Sequence, residues 1–86
     1  TNANDLIWRF QMDAAKELLF QVVHVTGTIT GMDSLLVILN HKLICAPDGD
    51  MKLNPIIGET VTYKGRCIGY DVLLDEVRMD HVYQLK

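Results

Sequence analysis

One stretch of this chain occurs twice, and that restricts its fold more than any other feature. Val23–Leu39 reads VHVTGTITGMDSLLVIL, and Val61–Val77 reads VTYKGRCIGYDVLLDEV. An ungapped overlay matches Val23 with Val61, Gly27 with Gly65, Gly31 with Gly69, Asp33 with Asp71, Leu35 with Leu73 and Leu36 with Leu74. These are six identities in seventeen positions, where chance gives about one. Each copy reads as a strand, a Gly-x-Asp turn and a second strand. Mid-strand Gly27 and Gly65 permit the sharp bend that a small barrel needs. Gly31 and Gly69 are expected to take up turn geometry, and Asp33 and Asp71 to hydrogen-bond nearby backbone N–H groups. A functional role for the two aspartates as paired carboxylates is the lesser reading.

The rest of the pattern fits one small domain spanning residues 1–86. Residues 4–20 read as an amphipathic helix, with Asn4 as its N-cap and Asp5 in its first turn. Leu6, Phe10, Ala14 and Leu18 form one stripe with Ile7 beside them, and Trp8 and Met12 widen the apolar face beyond what a small core needs. Period-two alternation then marks strands in the repeated units 22–39 and 60–77. Leu35–Leu39 reads as a buried strand in preference to a short helix, because Val and Ile are among its residues. Asn40-His41 reads as a kink or turn. Residues 42–54 read as a hairpin around Pro47-Asp48-Gly49-Asp50. A last alternating run, Val77, Met79, Tyr83 and Leu85, breaks near Asp80-His81. One helix followed by five or six short strands describes a mostly β, bent-sheet barrel.

Composition narrows the function. A chain of 86 residues with 49% hydrophobic residues folds around a thin core and leaves apolar surface for a partner. The net charge is −3 and neither half is basic, which disfavours a nucleic-acid backbone as partner. No apolar run approaches the roughly 20 residues of a membrane span. Cys45 and Cys67 can pair across a sheet in an oxidising compartment, but two reduced, buried thiols are favoured. The start at Thr1 instead of Met reads as a processed or cut product. The cytoplasm is slightly favoured, with the periplasm open if the chain is a fragment.

No enzyme is expected. Ser34 is the only serine and has no histidine at a suggestive distance. Cys67, although beside Arg66, falls on the face of Val61 and Tyr63. The spacing of His24, His41, His81 and the cysteines matches no zinc signature, Asp48–Asn54 lacks the ligands of a calcium loop, and no glycine-rich phosphate cradle exists. No metal or cofactor is therefore expected. Asp75, Glu76 and Asp80 form an acidic run, either a docking surface for a basic partner or a solvated face. The residues expected to carry interaction are Trp8 and Met12 on the helix and Lys64 and Arg66 on the repeated strand.

Gly27-Thr-Ile-Thr-Gly31-Met-Asp33 leading into Leu35–Leu39 resembles the first signature of Sm and Sm-like proteins, and Tyr63-Lys64-Gly65-Arg-Cys-Ile68 resembles the second. The resemblance implies a five-stranded Sm-like or SH3-like barrel that assembles into rings of six to eight, usually around RNA. At the position of that family's base-binding Asn stands Val37, so the resemblance implies the assembling kind of protein in preference to an RNA reader. A second resemblance, through Ile57-Gly58-Glu59 and Asp75-Glu-Val77-Arg-Met79, is to periplasmic β-domains of type II secretion and type IV pilus inner-membrane proteins, which dock onto secretin domains. The expectation is a non-enzymatic assembly module, self-associating or docking on a protein through strand edges and an apolar helix face, with an RNA-binding ring protein and a periplasmic docking domain as alternatives.

Overall fold

The computed structural model describes residues 1–49 and 52–85. Helix α1 spans Ala3–Gln11 and a 3-10 turn spans Lys16–Leu18. Five strands follow: β1 (Val22–Asp33), β2 (Leu36–Leu39), β3 (Leu43–Pro47), β4 (Thr60–Asp71) and β5 (Glu76–Gln84). They close into a barrel in the order β1-β2-β3-β5-β4. Every pairing is antiparallel except β3 with β5. Strand β4 returns by a long connection to lie beside β1, which makes this a five-stranded Greek-key barrel, the plan that OB-type barrels use.

The repeat is real at the level of the backbone. Both copies are hairpins, and each carries a bulge at the same place. On β1 an extra residue, Thr30, separates the pairs Ile29–Leu39 and Gly31–Ile38. On β4 it is Ile68, between Cys67–Met79 and Gly69–Arg78. Bulges sharpen the local bend and twist, which lets one long strand serve two neighbours around the barrel. Gly31 and Gly69 follow these bulges inside the strands, so they do not form the turns expected of them. The turns are Ser34-Leu35 in one copy and Val72–Asp75 in the other, two residues longer. The ungapped overlay therefore fails past the aspartates: Leu36 lies in β2, whereas Leu74 lies in a loop.

Gly27 and Gly65 have a steric role at strand centres. A Cβ on Gly27 would sit 2.8 Å from the Ala3 Cβ and 2.9 Å from Asn40 Oδ1; one on Gly65 would sit 2.7 Å from Val82 Cγ2. The first contact brings α1 onto β1. Asn40, at φ 50°, completes that junction by accepting from the Thr28 amide and donating to Asn4 Oδ1.

The helix is shorter and begins earlier than its sequence suggests. Asn2, not Asn4, is the N-cap, accepting from the Asn4 amide at 2.8 Å. At the other end the Ala14 amide donates to the Arg9 carbonyl and the Asp13 amide to that of Phe10, with Asp13 at φ 55°. This is a Schellman stop, and it leaves Ala14 exposed, outside the expected stripe. Leu6, Ile7 and Phe10 enter the core with Val25, Tyr63, Met79 and Val82.

The hairpin expected over 42–54 does not form. Leu43–Pro47 is a strand, but its partners are β2 and β5. Lys52–Asn54 is not strand, and Asp50 and Met51 lie outside the described residues. The true hairpin joins β2 to β3 through Asn40-His41, both at positive φ, with the Lys42 amide donating to the Leu39 carbonyl, the signature of a type I′ turn.

Candidate docking surface

Closure of the barrel leaves a free edge on β4. Residues Val22 to Thr28 of β1 cover β4 from Arg66 back to Thr60, and Phe20 and Gln21 extend that cover by exchanging backbone bonds with Cys67. Beyond Cys67 and the bulge residue Ile68, Gly69–Asp71 pairs with β5 on one side only. Among the described residues nothing bonds the backbone of this segment on the other side. An unpaired edge presents N–H and C=O groups to any strand that arrives.

A groove of about 340 Å³ runs along that edge. Its apolar walls are Phe10, Leu19, Phe20, Ile68, Tyr70 and Val72, and its charged members are Asp13 and Lys16. Phe20 is 67% exposed and Val72 76%. Phe20 projects outward because its backbone sits at φ 65°, where the chain turns from the 3-10 turn into β1. At the groove's end stands the β4–β5 loop, whose tip residue Leu73 is 96% exposed.

That loop is held at both ends. Asp71 Oδ1 accepts from the Leu73 and Leu74 amides at 3.0 and 3.1 Å, the role expected of it. Asp33, its counterpart, makes no such bond among the described residues. At the far end Asp75, at φ 54°, receives the side chains of Lys42, Tyr70 and Gln11. These bonds, Lys42 first, hold its carboxyl down at about 2, while the same contact pushes the Tyr70 hydroxyl up. The clasp ties α1, the β2–β3 turn and β4 to the loop. Glu76 and Asp80 are likewise paired, with Arg78 and Arg66, so all three carboxylates of the acidic run are engaged in internal ion pairs.

The four residues expected to carry interaction fall on two other faces. Trp8 and Met12, 58% and 60% exposed, form a stripe on α1 turned away from the core. Lys64 and Arg66 share a concavity of about 380 Å³ with Val22, Asp48, His81 and Tyr83. There Arg66 forms a bidentate pair with Asp80 at 2.9 and 2.7 Å, and Lys64 Nζ lies 5.7 Å from the Tyr83 ring centroid. His81 Nδ1 lies 2.8 Å from Asp48 Oδ1. The β4 groove had a signal in the sequence, since Ile68, Tyr70 and Val72 fall on the strand face opposite Val61, Tyr63 and Cys67, but the free edge beside them is set by long-range pairing that local alternation does not record.

Cys45 and Cys67 are free and buried. Both are register partners of Met79, from opposite sides, which sets them about 10 Å apart along the sheet, beyond the roughly 7 Å a disulfide spans. Burial pushes their thiols up to about 12 and about 11. Among the described residues no three His, Cys, Asp or Glu side chains gather as a metal site, and no helix is long and apolar enough to cross a membrane. Val37, which the Sm-like resemblance would set in place of a base-binding Asn, is buried in the core. Compared with known proteins, the chain matches no family model, no curated protein and no solved structure.

Proposed function

We propose that this chain is a non-enzymatic assembly module that receives an extended segment of a protein partner along β4. The observation that carries this reading is the unpaired edge of β4 beyond Cys67 lying against an apolar groove. An incoming strand gains main-chain hydrogen bonds from the edge and places alternate side chains in the groove. The reading calls on no nucleophile: both thiols are buried and Ser34 is exposed in a turn. The test is binding of a short labelled peptide with alternating apolar residues. Phe20→Glu is expected to weaken it roughly tenfold or more, about 1.4 kcal/mol. Loss instead on Trp8→Glu moves the surface to the helix. A partner that belongs to a larger secretion or pilus assembly, as the second resemblance implies, fits the same mode of docking.

RNA binding has one observation in its favour: the Lys64, Arg66, His81 and Tyr83 face combines cations with an aromatic ring. Arg66 already has a carboxylate partner and the His81 ring lies against Asp48, and the β2–β3 face that OB-type barrels use for oligonucleotides is lined here by Asp33, Ile38, Ile44, Glu76 and Arg78. Salt-dependent binding of oligouridine, lost in Lys64→Ala, is the result that would install this reading in place of the first.

A further inference from the structure

We infer that the strand received along β4 is β4 of a second copy, giving a two-fold dimer; this rests on the docking reading above. A two-fold interface needs one patch that is complementary to itself. This patch has the three parts side by side: an unpaired edge, a recess, and the projecting loop Val72–Leu74. A two-fold axis perpendicular to a strand sets that strand antiparallel to its own mate, so two Ile68–Asp71 edges can complete one another's backbone bonds. The same rotation carries each loop toward the other copy's groove, where Leu73 and Val72 find Phe20 and Ile68.

Charge and rigidity point the same way. The groove holds one anion and one cation, Asp13 and Lys16, and the two-fold can set each against its opposite on the mate. A strongly basic or acidic ligand has no matching field there. The loop is fixed by Asp71 at one end and by the Gln11, Lys42 and Tyr70 clasp on Asp75 at the other. Pre-organisation removes most of the ordering cost from association, and an apolar tip held rigidly in water has no role within its own fold.

Gly69 supplies a reporter. An added Cβ there meets nothing within 4 Å and its φ is not positive, so Gly69→Cys is tolerated and stands at the centre of the edge. The experiment is sedimentation equilibrium over a range of concentrations, with oxidative cross-linking of Gly69→Cys. The expected result is a dimer that cross-links through position 69. Leu73→Glu, at a position with no packing to lose, raises its dissociation constant by roughly tenfold or more without altering the circular dichroism, whereas Trp8→Glu leaves it unchanged. A monomer at every concentration, or a dimer indifferent to Leu73→Glu and silent at position 69, overturns the proposal. The labelled peptide with alternating apolar residues, which is not a copy of β4, separates the two failures. If the monomer binds it and Phe20→Glu does not, the docking reading stands and only the self-pairing is wrong. If neither binds, both fail.

Discussion

Gly27 and Gly65 occupy their positions because another part of the chain takes the space a side chain would need. At Gly27 the obstacles are a helix residue and the Asn40 amide that links three elements. Gly27→Ala is expected to cost about 1–3 kcal/mol in denaturant unfolding through overpacking, and Gly69→Ala close to nothing. Tyr63 makes the opposite case. Its hydroxyl is buried with no partner among the described residues, and burial pushes it up to about 12. A desolvated, unpaired hydroxyl is a cost, so Tyr63→Phe is expected to leave stability unchanged or raise it, read by the same denaturant curve. Asp75 sets an acid limit. Its carboxyl titrates at about 2 in the fold against an ordinary 3.8, so the folded state binds that proton less readily than the unfolded chain. The stabilisation is complete above about pH 4 and is lost as pH falls toward 2. Asp75→Asn should flatten that part of a pH–stability profile, and a profile that keeps its slope would assign the acid limit elsewhere.

Among the elements, those recorded in local pattern were legible. The alternation of Val61, Tyr63, Gly65 and Cys67 names the buried face of β4 correctly, and the break at Asp80-His81 is a bulge with His81 at φ 52°. The two hairpins followed from the repeat. What escaped is long-range or three-dimensional. Nothing in Leu43–Pro47 indicates a parallel partner more than thirty residues downstream, so Pro47-Asp48-Gly49 read as a hairpin turn when it is a strand end. The helix stop at Asp13 was hidden because the apolar spacing continues past it and Asp is an unusual residue for a left-handed cap. Site residues fared likewise: Lys64 and Arg66 do share a concavity, and Trp8 and Met12 do face outward, but the β4 edge exists only because β1 leaves β4 at Cys67. Alanine at Trp8 and Met12 is accordingly expected to leave the unfolding midpoint nearly unchanged, since neither side chain reaches the core. A marked drop in that midpoint would mean that the stripe supports the fold.

At the scale of the molecule, mass in solution by light scattering at two concentrations decides between assemblies. Two chains are expected, and a stable species of six to eight would favour the ring that the Sm-like resemblance implies. The fold alone does not choose between them. The position of β5 has a consequence of its own. The last strand of the barrel lies between β3 and β4, so until it arrives both of its neighbours stand open and Tyr63, Cys45 and Cys67 have no wall at Met79. Such a chain cannot assemble its barrel from the N-terminus onward as synthesis proceeds. It waits, with two sticky margins showing, for β5, and the interval before that strand inserts is when it is most vulnerable to pairing with the wrong neighbour.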